Sequence, residues 1–292
     1  MGEALAIVAA LLFALGTVLQ QKGTLTTEAQ ENDPRFLVQI LRRPVWLAGA
    51  VMQAVGWIIQ AAALDRAALV VVQSLTALSL VIALPLGVWL TNQRVGKREL
   101  SGALLALVGI VFFLSAGQPQ GGTSHPSATS WWAACLSTAA LVAILFVVSR
   151  NWTGAAKALT FGAAAGLGYG LQAAVTKTFV TLIGGGIVAI VTSWSIYVLI
   201  ISALSGFALQ QSALKTGVLA PAMASSNSVT LFSSVLLGVG VYGESISKSG
   251  SGHVGAAVVG LVVAIAGIAL LAGSQAPEGK PAAGAPNPSP AA

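Results

Sequence analysis

The sequence predicts an all-α integral membrane protein: nine transmembrane helices, arranged as inverted four-helix repeats (spans 1–4 and 6–9) around a linking fifth span. Three observations predict it. Only 8% of the 292 residues are charged while 56% are hydrophobic, and the mean hydropathy is +0.87; a soluble domain carries about 25% charged residues because its surface needs them. Nine stretches reach the roughly 20 apolar residues that a spanning helix requires. Third, two parts of the chain resemble each other. A soluble enzyme and a nucleic-acid binder are excluded by the composition, and no nucleic-acid partner is expected. The single Cys135 leaves no intramolecular disulfide and no multi-cysteine metal site.

The spans run roughly 3–22, 44–64, 68–91, 99–116, 131–149, 157–183, 190–214, 218–242 and 253–273. Met1-Gly2-Glu3 offers no basic n-region, and the apolar run Ala4 to Leu19 is long enough to begin a span, so a mature helix is expected here and not a cleaved signal. After it, PRFLVQILRRP sets Phe36, Leu37, Ile40 and Leu41 on one face amid Arg35, Arg42 and Arg43. That pattern suits a helix near 35–43 lying on the interface, or an ordinary basic loop. Residues 1–116 form the first repeat, 117–156 an external linker with the fifth span, and 157–273 the second, inverted repeat. The Pro- and Ala-rich stretch 274–292 has nothing to bury and reads as a disordered cytoplasmic tail.

The basic residues test this order of spans. Alternating loops put Lys22, Arg35, Arg42, Arg43, Arg94, Lys97, Arg98, Arg150, Lys157, Lys215 and Lys280 on one side, and only Arg66 and Lys248 on the other. The positive-inside rule then places the N-terminus outside and the C-terminus in the cytoplasm of a cell whose plasma (inner) membrane holds the chain.

Self-similarity carries the step to function. At an offset of 150, AVGWIIQAAAL (54–64) aligns with LSGFALQQSAL (204–214), pairing Gly56 with Gly206, Trp57 with Phe207 and Gln60 with Gln210. At 158, GALLALVGI (102–110) aligns with GLVVAIAGI (260–268); at 155, Thr17 and Gln21 meet Gln172 and Thr176, and Lys22 meets Lys177. A displacement of five spans is odd, so the copies have opposite orientation. Inverted repeats are the architecture of many secondary transporters, with the binding site near the midplane between the repeats.

Polar residues inside apolar helices are the candidate substrate-binding groups: Thr17, Gln21, Gln60, Gln73, Gln172, Lys177, Gln210, Asn227 and Thr230. A buried amide needs partners; hydrogen bonds between helices would satisfy Gln60 and Gln210, and so would a shared central site. Asn227, Thr230 and Ser234 follow i, i+3, i+7 and share a face of span eight. Lys177, the one basic residue well inside a span, reads either as an anion-binding group or as a side chain snorkelling to the outer interface. Pro85 and Pro221 are candidates to break their helices. Gly162, Gly166 and Gly170 form a ridge for close helix approach. No catalytic set emerges, so no enzyme, cofactor or metal site is expected.

These segments resemble the drug/metabolite transporter (DMT, EamA-like) superfamily. They are most similar to its NIPA-type branch, which is associated with magnesium transport. The similarity rests on LQQKGTL (19–25), RPVWLAGAVMQAVGW (43–57) and LVVVQSLTALSLVIA (69–83), with LQQSALKTGVLAPAMASSNSVTLFSSVLLGVGVYGES (209–245) in the second half. Gln73-Ser74-Leu75 stands where that branch has Pro-Leu-Gly, and Arg94 where an acidic counterpart of Glu244 would fall. The expectation is a DMT-type secondary transporter moving a small polar metabolite by alternating access. The alternatives are NIPA-like transport of magnesium or another divalent cation, implied by the resemblance, translocation of a lipid-linked substrate, and a non-transport membrane scaffold. A small molecule or ion as substrate and the lipid bilayer are the expected partners, and a homodimer is compatible with the reading.

Overall fold

Within hydrocarbon every backbone N–H and C=O has to be paired inside its own segment, so apolar runs of this length fold as helices. The computed structural model describes residues 1–25, 43–91, 96–123, 125–214, 216, 219–246 and 251–274. Its first half contains α1 (Gly2–Leu25), α2 (Pro44–Arg66), α3 (Leu69–Ala77), α4 (Ser79–Thr91) and α5 (Lys97–Gly117). There follow β1 (Gln120–Gly121), α6 (Ala128–Ser149), α7 (Gly154–Val180), α8 (Gly186–Thr192) and α9 (Trp194–Leu214). The chain continues through α10 (Leu219–Gly240), β2 (Glu244–Ser245) and α11 (Ser251–Ser274). Helix α2 opens on Pro44, whose missing N–H would have had no helical partner there. Helix α6 opens on Ser127, whose hydroxyl accepts from the Ser130 N–H.

Eight helical segments among the described residues are long and apolar enough to cross a membrane, with 69–90 counted as one. The ninth candidate is bent by 75° between Ile183–Thr192 and the helix that starts at Trp194. The expected span 190–214 falls on this bent pair, with α9 as its longer arm and α8 turned away from the α9 axis. The expected break at Pro85 also moves. Pro85 sits inside α4, and the interruption falls at Leu78, whose N–H pairs with the Leu75 carbonyl. In α3 the Ser74 hydroxyl donates to the Val70 carbonyl and Thr76 to that of Gln73, a back-bonding that bends helices. Pro221 lies in the first turn of α10, where it is tolerated. The expected interfacial helix near 35–43 (except Arg43) and the expected tail (except Ser274) lie outside the described residues.

Small residues decide which helices meet. Helix α5 packs along α11, and α1 packs on α2; helix α7 packs on both α9 and α10. A methyl group on Gly109 of α5 would run into the backbone of Ala264 on α11, and one on Gly260 would lie 2.5 Å from the Phe113 nitrogen. The Gly162, Gly166 and Gly170 ridge lies against Ala222, Ser226 and Ser233 of α10 in the same way. Ala106, Ile110, Phe113, Leu231, Val235 and Ile268 fill one core around the α5–α11 crossing. Helix α6 is peripheral: Trp131, Ala134, Thr138 and Ser149 are buried, while Trp132, Leu136, Leu141 and Ile144 are exposed, as on a lipid-facing helix.

Candidate functional site

A cavity of about 670 Å³ lies between α1, α2, α3 and α4 on one side and α7, α9 and α10 on the other. Helices α1, α2 and α9 each lend it one face. Phe13, Thr17 and Gln20 of α1 line it, as do Gln53, Trp57 and Gln60 of α2 and Ala203, Phe207 and Gln210 of α9; in all three the spacing is i, i+4, i+7, one side of a helix. Gln73 and Thr76 come from α3, Tyr169 and Gln172 from α7, and Ser226, Asn227 and Thr230 from α10. Seven of the residues selected from the sequence therefore face one space: Thr17, Gln60, Gln73, Gln172, Gln210, Asn227 and Thr230. Gln21 lies within α1, but its side chain is outside the described set. Gln53, Phe13 and Tyr169 were missed; the i, i+4, i+7 stripe running from Gln53 to Gln60 is the signal that would have found the first.

Amide and hydroxyl groups dominate the polar wall, and the described lining contains no carboxylate, amine, guanidinium or imidazole. The Gln53 amide donates to the Thr17 hydroxyl at 3.0 Å, and Asn227 donates to the Met223 carbonyl at 2.9 Å. Gln210 donates to the Met223 sulfur at 3.2 Å, a weak acceptor. Gln60, Gln73, Gln172 and Gln210 are all at least nine-tenths buried. Three of them keep a polar atom without a hydrogen-bond partner: Nε2 of Gln73, Oε1 of Gln172 and Oε1 of Gln210. Buried unpaired groups cost about 1–3 kcal/mol each, and here all three belong to residues that line a single cavity.

Lys177 is placed elsewhere, and does not line the cavity. Its Nζ donates to Glu244 Oε1 at 2.6 Å and stands 4.7 Å from the centre of the Tyr242 ring. The same carboxylate accepts from the backbone N–H groups of Leu69 at 2.6 Å and Val70 at 2.9 Å. Those donors are the first residues of α3, where helix N–H groups lack internal partners and the helix dipole favours an anion. Glu244 is held in position by the antiparallel pairing of β2 with β1, in which Gly121 faces Glu244. Gly238 leaves room for it: a methyl there would lie 2.7 Å from Oε2. The Glu244 side chain is fully buried, although it follows the expected span 218–242 in the sequence.

Along α2, α3 and α7 an apolar layer follows the cavity-lining Gln60, Gln73 and Gln172 toward this carboxylate. Ala63, Leu64, Leu69, Val72, Leu171, Ala174, Val175 and Tyr242 pack there as one buried cluster, and the Tyr242 hydroxyl donates to the Ala174 carbonyl at 2.7 Å. The residues that line the cavity thus stop short of the end of the bundle that carries Glu244. A second cavity of about 600 Å³, lined by Trp131, Trp132, Trp194, Cys135, Thr178 and Ser193 among others, sits beside the α8–α9 bend.

No family model matches the chain. No solved structure matches it. It is 30% identical over 281 residues to an uncharacterized protein of Corynebacterium glutamicum, Cgl0250/cg0304, a match covering 94% of this chain and 96% of that protein. At that identity and coverage the chain belongs to the same family as Cgl0250/cg0304.

Proposed function

We propose that this protein is a DMT-type secondary transporter that moves a small polar metabolite across the plasma membrane by alternating access. One observation carries the reading: polar residues from both sequence-similar halves converge on one cavity. The inverted repeat fits this arrangement. Gln53, Trp57 and Gln60 correspond, at an offset of 150, to Ala203, Phe207 and Gln210, and both triplets line the cavity. The pairing of α1 with α2 matches that of α7 with α9, and α5 packs against its counterpart α11.

With nine spans and the N-terminus outside, the Glu244 end is external, and on this reading the cavity is reached from the cytoplasm. The Glu244 cluster then acts as the outer gate. Its carboxylate belongs to the second half and its backbone donors, Leu69 and Val70, to the first, so outward opening has to break these bonds. The second cavity supports a secondary reading, translocation of a lipid-linked substrate, because its three tryptophans suit the membrane interface. The test is flux. Proteoliposomes carrying the full chain are offered a small-metabolite extract and, separately, magnesium with an internal magnesium-sensitive dye. Accumulation of a metabolite that the Gln60→Leu/Gln210→Leu variant fails to accumulate is the expected result. A dye response without metabolite accumulation establishes divalent-cation transport instead and rejects the proposal.

A further inference from the structure

We infer that the central cavity selects an uncharged, ring-shaped solute bearing both hydrogen-bond donors and acceptors on its rim. The inference rests on the cavity being the substrate site, and it adds the chemistry of the ligand. Charge comes first. An ion in a low-dielectric cavity loses its hydration and has to be compensated by an opposite charge, and the described lining offers none. The Lys177–Glu244 pair is internally compensated, and neither residue lines the cavity.

Hydrogen bonding comes second. Gln73 leaves a donor unpaired, whereas Gln172 and Gln210 leave acceptors unpaired. Every side-chain amide carries a donor end and an acceptor end, and the hydroxyls of Ser226 and Thr230 can do either, so the wall presents both kinds of group to a solute. A ligand that only accepts, such as a halide, would leave half of this capacity unmet; one that only donates would fail in the same way. Shape comes third. Phe13, Trp57, Tyr169 and Phe207 stand among the amides, and aromatic rings receive flat apolar faces by stacking. A volume of about 670 Å³ falls within the range that holds compact organic ligands. Nucleosides and free sugars share this chemistry: a ring with an apolar face and a rim of donors and acceptors.

The experiment uses purified full-length protein in detergent and matched pairs of probes: uridine with uridine monophosphate, and glucose with glucose 6-phosphate. Binding is read as a shift in thermal midpoint and as quenching of tryptophan fluorescence. The expected result is saturable binding of a neutral member, at least tenfold weaker binding of its phosphorylated counterpart, and loss of the response in both Gln210→Leu and Asn227→Ala. The two arms separate a nucleoside site from a sugar site. Equal binding of neutral and phosphorylated partners overturns the inference, as does a response to magnesium chloride alone, or no response to any neutral probe. The readout is independent of transport. Binding without flux would reject the transport reading and keep the ligand class; flux of a charged solute would do the reverse.

Discussion

Replacing Glu244 by Gln tests the outer closure most directly, since it removes the charge with almost no change in volume. Three donors converge on this carboxylate: Leu69 N–H, Val70 N–H and Lys177 Nζ. An amide offers one oxygen in place of two, so at least one backbone donor faces an NH2 group and the other bond loses its charge assistance. Hydrogen bonds to charged groups contribute about 1.5–3 kcal/mol, which puts the weakening of the contact across the halves at roughly 2–3 kcal/mol. At about 1.4 kcal/mol per tenfold, the outward-open population should rise roughly 30- to 140-fold. The reporter is a single thiol at the cavity wall: Cys135→Ser removes the sole native cysteine, and Ala173→Cys supplies a new one where Ala173 lines the cavity. Intact cells are then treated with a membrane-impermeant maleimide. Glu244→Gln should raise the labelling rate at position 173 by at least tenfold. Lys177→Met is the control: it removes a partner on the same half and keeps both backbone bonds, so it should cost stability while changing labelling far less. If Glu244→Gln labels within twofold of its parent at equal membrane abundance, the gate assignment is wrong.

Further consequences can be measured on the same footing. Gln210→Leu removes an unpaired buried acceptor and only a weak contact to Met223, so its thermal midpoint should stay within a few degrees of the parent while metabolite uptake falls by tenfold or more. Gly109→Val should cost about 1–3 kcal/mol or more, seen as a lowered midpoint and loss of monodisperse protein. Ala264→Gly should not rescue it, because the clashing atoms of residue 264 belong to its backbone. Tyr242→Phe deletes a hydroxyl bonded to the Ala174 carbonyl and to Thr178; a loss of about 1–2 kcal/mol is expected, with labelling at position 173 raised less than by Glu244→Gln. For topology, a fluorescent protein fused after Ala292 should fluoresce, and alkaline phosphatase inserted after Gln120 should be active; the opposite pattern would invert the assigned orientation.

Helical periodicity is local, and it made much of the cavity wall legible in the sequence. An amide inside an apolar helix is expensive wherever that helix packs, so Gln60, Gln73, Gln172 and Gln210 stood out individually, and the repeat tied Gln60 to Gln210. Lys177 was equally conspicuous, but its role was not: nothing local links it to a carboxylate 67 residues away, or that carboxylate to backbone donors 174 and 175 residues back. Phe13 and Tyr169 passed unnoticed because an aromatic in an apolar helix carries no signal until its neighbours are known.

The sequence by itself determined that the chain is a bundle of apolar helices with polar residues at costly positions, because the cost of burying an amide or a charge depends on composition along one helix. Only the tertiary structure decided where those residues meet. Glycine and alanine contacts, such as Gly109 on Ala264 and the Gly162–Gly170 ridge on α10, set which helices approach and how closely. That choice brings seven separated residues around one cavity and takes Lys177 out of it, into a buried bond with Glu244.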